Sequence, residues 1–246
     1  MAIAKVIYKA SSSDTGTVWM DSTSATASAD DIVAPKTAML ANGILTTGTG
    51  SGGGTYQLKS YITNPNGEYI ITNYEPVRYD QICVLFQLTD ALASGDHGVY
   101  QALFSAGTGD YQFVLIFEMI GSIYHAAYFR YFSSQSSTIN IDNHPKDTWY
   151  ELTISESGVG YIDGVTATRT YGAAIDGTDK RLWLFKRANN STPCIARVGH
   201  VIIHNKGNIK LNLIPCIRNN DNKAGLYDTI NDTFYTSATS TDFVAG

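Results

Sequence analysis

The segment LNLIPCIRNNDNKAGLYDTINDTFY spans residues 211–235 and has the clearest structural pattern in the chain. It contains an apolar strand ending at Pro215, a loop rich in Asn and Asp, the run Gly225-Leu-Tyr-Asp228, and a short turn into Phe234-Tyr235. Strands and turns in such close succession are typical of an antiparallel sheet. We therefore expect this segment to form the closing edge of a two-sheet β-sandwich.

Alternating apolar residues predict strands throughout residues 55–246. Residues 111–120 carry apolar side chains at both odd and even positions, so both faces of this strand are expected to be covered. Residues 149–156 alternate more strictly and predict a half-buried strand. Further strands are predicted at residues 68–73, 81–88, 123–132, 160–162, 181–186, 196–204 and 209–214. Because no segment keeps a helical period over three turns, we expect an all-β fold, an antiparallel sandwich or barrel.

Residues 48–54, GTGSGGG, predict a flexible linker between residues 1–47 and residues 55–246. The first part has strand candidates at residues 4–8 and 18–21, a helical start near residues 28–35, and a tight hairpin turn at Asn42-Gly43. Such a piece is too small to build a large core alone. We expect it to pack against copies of itself or a neighbouring subunit.

The composition argues against several classes of partner. The 246-residue chain is 16% charged and has a formal net charge of -5 without a basic stripe, so we expect no nucleic-acid partner. Its most apolar stretch is short and contains Glu118, so we expect no membrane insertion. The N-terminus lacks a signal peptide pattern, and the three cysteines lack metal or redox spacing. We expect buried free thiols in a protein made under reducing conditions.

Three segments of the second part carry a family resemblance. They are DTWYELTISESGVGYIDG at residues 147–164, RLWLFKRANN at residues 181–190, and residues 196–235, which include the closing segment. Together they resemble the laminin G-like, concanavalin A-like jelly roll of structural proteins from tailed bacteriophages. The resemblance covers most of residues 55–246. It implies that Gly225 allows a tight backbone bend, and that Tyr227 and Phe234-Tyr235 seal the sandwich.

The first part carries a second resemblance. WMDSTSATASADDIVAPKTAMLANGILTTGT, at residues 19–49, is similar to short N-terminal attachment modules of phage tail and head-fibre proteins, with Pro35-Lys36 in place of the usual Gly. The tandem layout resembles a head fibre or capsid-decorating fibre, including those of crAss-like phages, as well as a tail fibre. It implies a virion protein, assembled in the host cytoplasm, whose residues 1–47 bind a phage capsid or tail protein. A homodimer or homotrimer is expected.

Concanavalin-like sandwiches include glycosidases, whose retaining members need two carboxyl groups about 5 Å apart. The Glu-x-Asp-x-x-Glu pattern of endoglucanase relatives is missing from this chain, and its five glutamates are isolated or flank turns. We therefore predict no catalytic residues and a non-enzymatic protein. The alternative is a tail-associated polysaccharide hydrolase whose acids come from separate strands.

We predict no bound metal and no cofactor. His200 and His204 lie in a predicted strand, where four residues span about 13 Å, too far for one zinc ion. A structural calcium ion is the alternative, because lectin relatives often carry one at a loop rim. Asp142-Asn143, Asp176, Asp179, residues 219–222 and Asp228 offer oxygen ligands. Turn formation is the preferred explanation for these residues.

The run IYHAAYFRYF at residues 123–132 supplies the candidate ligand site. Sugar rings stack on exposed Tyr side chains, and an Arg beside them can hold hydroxyls or acidic sugars. We predict that Tyr124, Tyr128, Arg130 and Tyr131 bind a host glycan, although strand alternation places half of the aromatic side chains of this run in the core. The implied function is adhesion to a host surface, strengthened by many copies on one particle.

Overall fold

A computed structural model gives the structure of the protein. It describes residues 5–8, 17–21, 37–39, 45–47, 55–89, 99–107, 112–120, 123–144, 147–167, 171, 173–178, 180–187 and 193–246. All regular elements of these residues are β-strands. None of the described residues forms a helix of the length and hydrophobicity that a membrane crossing needs. The chain divides into two compact units, Met1–Gln57 and Leu58–Gly246.

The first unit contains two antiparallel strand pairs. Strands β1 (Lys5–Tyr8) and β2 (Thr17–Asp21) pair with each other, as do β3 (Thr37–Met39) and β4 (Leu45–Thr47). The predicted strands at residues 4–8 and 18–21 are confirmed, and the β3–β4 pairing agrees with a hairpin. The turn at Asn42-Gly43, the helical start near residues 28–35 and the linker at residues 48–54 lie outside the described residues.

The remaining strands follow in chain order from the end of the first unit. They are β5 (Tyr56–Leu58), β6 (Ile62–Thr63), β7 (Ile70–Ile71), β8 (Asp80–Leu88), β9 (Val99–Ala106), β10 (Gln112–Ile120), β11 (Ile123–Ser133), β12 (Ser137–His144), β13 (Trp149–Ile154), β14 (Gly160–Ile162), β15 (Val165–Thr166), β16 (Trp183–Leu184), β17 (Ala196–Asn205), β18 (Asn208–Arg218), β19 (Lys223–Asp228), β20 (Thr233–Tyr235) and β21 (Val244–Ala245).

Two antiparallel sheets organise the second unit. The six-stranded sheet has the order β12-β11-β10-β9-β16-β7. The larger sheet follows the path β15-β14-β13-β8-β17-β18-β19-β20, and β6 joins it beside β17 with β21 outside it. The expectation of an all-β protein built from two antiparallel sheets is confirmed for the described residues.

The two sheets pack face to face around one hydrophobic core. The ring of Phe86 in β8 lies 5.3 Å from that of Phe117 in β10, so aromatic packing connects the two sheets. Gly160 in β14 lies against Phe129 of β11, where an added Cβ would be only 2.5 Å from the ring. The absence of a side chain at Gly160 therefore lets the sheets approach closely.

Burial follows the predicted alternation in β13 and in β10. Tyr150, Leu152 and Ile154 of β13 are buried, whereas Trp149 and Glu151 are exposed. In β10, Phe113, Leu115 and Phe117 belong to the core. The prediction that the second face of β10 is also covered is confirmed at Val114, which is fully buried although it lies outside the core cluster.

Several strands differ from the sequence prediction, including the one expected at residues 68–73, which shrinks to β7, Ile70–Ile71. Neither β9 nor β12 was predicted, because small and polar residues interrupt their apolar pattern. The strand expected at residues 181–186 shrinks to β16, Trp183–Leu184. It ends there because Phe185 adopts a φ of 67°, a left-handed conformation incompatible with a continuing strand.

The closing segment forms the end of the larger sheet through β18, β19 and β20, as expected. The predicted end of the first strand at Pro215 is wrong, because β18 continues to Arg218 with Pro215 opposite Leu226. The predicted role of Gly225 is also wrong. Gly225 lies inside β19 opposite Cys216, and an added Cβ would be 2.3 Å from the carbonyl oxygen of Tyr235. Close strand packing, not a bend, requires glycine there.

The aromatic residues of the closing segment divide between the core and the surface. Tyr235 is buried in the core cluster, and its hydroxyl accepts a hydrogen bond of 3.2 Å from the Asn73 backbone N–H. Phe234 is half-buried beneath the Arg218 guanidinium, 4.6 Å from the ring centroid. Tyr227 is half-buried and donates its hydroxyl to Asp232. Only Tyr235 therefore seals the sandwich in the sense predicted.

Asp228 organises the turn that follows β19. Its carboxylate is completely buried, and Oδ1 accepts backbone hydrogen bonds from Asn212 (3.2 Å) and Ile230 (3.0 Å). Its Oδ2 accepts a hydrogen bond of 2.6 Å from the Asn231 side chain. The Asp of the Gly-Leu-Tyr-Asp run therefore connects β18 to the turn before β20 by satisfying backbone donors.

Candidate functional site

The candidate site is a groove on the six-stranded sheet, with a volume of about 390 Å³. Its described lining comes from β10, β11, the segment before β12 and the segment after β16. The lining residues are Val114, Ile116, Tyr128, Arg130, Ser136 and Arg187. A volume of this size falls in the range of small-molecule sites and suits one or two sugar rings.

The strand register brings the central residues of the groove together. Val114 pairs directly with Arg130, and Ile116 pairs with Tyr128, across the antiparallel β10–β11 ladder. Directly opposed residues of such a ladder have neighbouring side chains on the same face. The aliphatic side chains therefore form an apolar floor beside a tyrosine ring and a guanidinium group. The Arg130 Nε donates a hydrogen bond of 3.1 Å to the Ser136 hydroxyl, which holds the turn between β11 and β12 at the side of the groove.

Arg187 reaches the groove from a different part of the chain. The Phe185 backbone N–H donates to the Leu103 carbonyl at 2.7 Å, and the Ser105 hydroxyl donates to the Lys186 carbonyl at 3.0 Å. These two bonds hold the segment after β16 against β9. The Arg187 guanidinium then donates a hydrogen bond of 2.9 Å to the side-chain oxygen of Gln112 at the start of β10.

The electrostatic environment of Arg187 is unfavourable to its own charge. Burial, and secondarily the positive charge of Arg130, lower the pKa of the Arg187 guanidinium below its usual value. Its Nε is buried and has no hydrogen-bond partner among the described residues. An arginine stays protonated at neutral pH, so the groove holds two cationic groups close together.

The predicted ligand residues separate into three groups. Tyr128 and Arg130 both line the groove. Tyr131 does not belong to a surface site, because its ring is 2% exposed in the core and its hydroxyl donates to the Glu156 carbonyl at 2.8 Å. Strand alternation explains the difference, since residues 129 and 131 point to the opposite face from residues 128 and 130. Tyr124 lies in β11, but its side chain is outside the described residues.

Sequence reasoning missed four residues of the groove. Val114 and Ile116 were predicted only as covered strand residues, and they could have been found from the pairing of β10 with β11. Ser136 lies in a turn with no pattern that distinguishes it. Arg187 lies one residue beyond the strand predicted at residues 181–186, and the left-handed Phe185 before it gives no signal in the sequence.

Metal ligands do not cluster in the part of the chain that the structure describes. No three His, Cys, Asp or Glu side chains of those residues are close enough to hold an ion. His200 and His204 lie in one strand, β17, as predicted. Asp228, one of the suggested calcium ligands, uses both carboxylate oxygens to accept hydrogen bonds from protein groups.

The cysteines of the described structure are free thiols. Cys194 and Cys216 are buried, and Cys83 is half-buried, so the expectation of buried thiols holds fully for two of the three. Burial raises the pKa of the Cys83 and Cys216 thiols to about 11. These thiols are therefore protonated, and poor nucleophiles, at neutral pH.

Comparison with known proteins finds likeness in structure and not in sequence. No family model matches the chain, and no curated protein sequence matches it. A solved structure that it resembles is the enzymatically active domain of tailspike protein 2 from bacteriophage CBA120, with 14% identity and a TM-score of 0.40. The match covers 58% of this chain and 24% of the tailspike chain.

Proposed function

We propose that the protein is a non-enzymatic fibre protein of a tailed-phage virion whose second unit, a laminin G-like, concanavalin A-like jelly roll, binds a glycan on the host surface. The sequence patterns of residues 19–49 and of residues 147–235 support the virion assignment. The two-sheet antiparallel architecture supports the fold assignment.

The groove is the observation that carries the adhesive function. It combines the half-buried Tyr128, an aromatic side chain on which a sugar ring can stack, with aliphatic lining residues and the guanidinium groups of Arg130 and Arg187. Carbohydrate sites in proteins commonly use an aromatic face for affinity and a few placed polar groups for orientation. The described lining of the groove consists of aliphatic, aromatic, hydroxyl and guanidinium groups, a set suited to holding a saccharide.

Weak binding at each groove is sufficient for adhesion if many copies are displayed. Residues 1–47 are proposed to attach to a phage capsid or tail protein and to assemble with copies of themselves. Each particle then presents several grooves to one cell surface, and the effective concentration of the second binding event is high. The host glycan is thus held by avidity.

The test is binding of the full chain to an array of bacterial surface polysaccharides. We expect binding to a subset of the saccharides, and we expect Tyr128→Ala to reduce it at least about tenfold, since loss of one stacked ring is of that order. The matched control is Tyr161→Ala, because Tyr161 is an exposed tyrosine on β14 of the larger sheet. Equal loss in both variants would contradict a site in the groove.

The same samples distinguish adhesion from hydrolysis. Reducing ends are measured after prolonged incubation with each bound polysaccharide, and we expect no increase over the polysaccharide alone. A time-dependent increase that requires the protein would favour the polysaccharide hydrolase.

A further inference from the structure

The groove concentrates positive charge in a protein that is acidic as a whole. The chain carries 17 Lys and Arg against 22 Asp and Glu, for a formal net charge of -5. Yet two guanidinium groups, Arg130 and Arg187, line one groove of about 390 Å³, and no carboxylate belongs to the described lining. The positive charge of Arg130 helps to lower the pKa of the Arg187 guanidinium, so a ligand anion placed between the two groups would be attracted by both.

The polar partners of Arg187 leave part of its donor capacity unused. A guanidinium has five N–H donors, and Arg187 gives a hydrogen bond to the neutral amide oxygen of Gln112. A planar carboxylate or a phosphate can accept two parallel hydrogen bonds from such a group.

The surroundings of the two arginines restrict the kind of anion. An inorganic ion would use only the arginines, whereas the groove lining also includes the Tyr128 ring and the Ile116 side chain. A sugar unit that carries an acidic substituent matches both halves of the groove, with its ring on Tyr128 and its anion toward the arginines.

We propose that the groove recognises an acidic saccharide, a sugar unit bearing a carboxylate or phosphate, and that Arg130 and Arg187 contact the anionic group. This inference rests on the proposed glycan adhesion and specifies its ligand class. The electrostatic part of the interaction is sensitive to salt, because the groove is open to solvent.

The probes are immobilised polygalacturonate, its carboxyl-reduced neutral counterpart, and dextran phosphate. We expect the full chain to bind at least one of the two anionic polymers, at least about tenfold more tightly than the neutral one, and less tightly as salt is raised. Preference for polygalacturonate identifies a carboxylate ligand, and preference for dextran phosphate identifies a phosphate ligand.

The variants are Arg130→Gln and Arg187→Gln, with Arg181→Gln as a control for the loss of one exposed positive charge outside the described lining. We expect each groove variant to weaken binding to the anionic polymer at least about tenfold and the control to leave it within about twofold. Arg187→Lys keeps the charge and loses the fork geometry, so its affinity should lie between those of the wild type and the Gln variant. If thermal unfolding shows that Arg187→Gln does not fold, the binding of Arg130→Gln and Arg187→Lys decides the result.

Two results would overturn the inference. One is equal binding to the neutral and anionic polymers, or binding only to neutral saccharides of the polysaccharide array, in which case the adhesive function stands and the acidic ligand is wrong. The other is unchanged binding to the anionic polymer by Arg130→Gln and by the Arg187 variants. Failure to bind any saccharide in either experiment would refute the adhesive function together with its ligand class.

Discussion

At the scale of single residues, the closing segment shows how a sequence pattern can be recognised before its physical cause is known. Gly225 was expected to bend the chain. It instead lies inside the paired strand β19, where its missing side chain makes room for the Tyr235 carbonyl. Asp228 was expected to support a turn, and its buried carboxylate does so by accepting hydrogen bonds from two backbone N–H groups. The close approach of the neighbouring strand β20 determines the role of Gly225, and the turn chemistry of the Gly-Leu-Tyr-Asp run gives no sign of it.

Replacing Asp228 tests its role directly. Asp228→Ala leaves the N–H groups of Asn212 and Ile230 without their acceptor, and we expect the free energy of unfolding to fall by about 2 to 4 kcal/mol. Asp228→Asn keeps an oxygen at the Oδ1 position and loses only the acceptor facing Asn231, so a smaller loss of about 1 to 2 kcal/mol is expected. Urea unfolding measures both, and an Asn variant as unstable as the Ala variant would contradict this account.

Strand alternation also explains why Tyr128 lines the groove and Tyr131 does not. Tyr128 and Tyr131 belong to one aromatic run, and alternation predicts that odd and even positions face opposite sides. It does not tell which side meets the core, because aromatic residues occur at both parities of residues 123–132. The packing of Phe129 against Gly160 of the other sheet shows that the odd positions are internal up to Tyr131, after which Phe132, with a φ of 51°, leaves the alternation and is buried as well.

At the scale of elements, strands with strict alternation were predictable and short or polar strands were not. β13 and β17 have their expected positions, whereas β9 and β16 depend on pairing with strands elsewhere in the chain. Arg187 joins the groove only because Phe185 leaves the strand in a left-handed conformation and Ser105 holds the following carbonyl. A non-glycine residue in that conformation is set by tertiary contacts.

The last strand, β21, offers a stability prediction at this scale. Phe243, just before it, is 4% exposed and its ring lies 5.5 Å from that of Phe185. We expect Phe243→Ala to lower the free energy of unfolding by about 3 to 5 kcal/mol through lost burial and the resulting cavity. Val244 is 54% exposed, so Val244→Ala should change stability by at most about 0.5 kcal/mol. Denaturant unfolding of both variants would refute the anchoring role of Phe243 if their midpoints coincided.

At the scale of the whole molecule, the two units predict different association behaviour. The second unit has a continuous core, whereas the first contributes only four short strands among its described residues. We expect light scattering to give the mass of a dimer or trimer for the full chain and of a monomer for residues 55–246. Monomers in both cases would contradict assembly through residues 1–47, and an oligomeric fragment would move the interface to the sandwich.

The edge strands of the two sheets affect how readily neighbouring copies of the sandwich aggregate. The larger sheet ends in β15 and β20, of two and three residues, and the six-stranded sheet ends on one side in the two-residue β7. Such short edges offer few unpaired backbone groups to a neighbouring chain. Only β12, with eight residues, is a long terminal strand among those described. In dense arrays, the edges at β15, β20 and β7 should therefore resist pairing with strands of neighbouring copies. Lateral aggregation, where it occurs, should begin at β12.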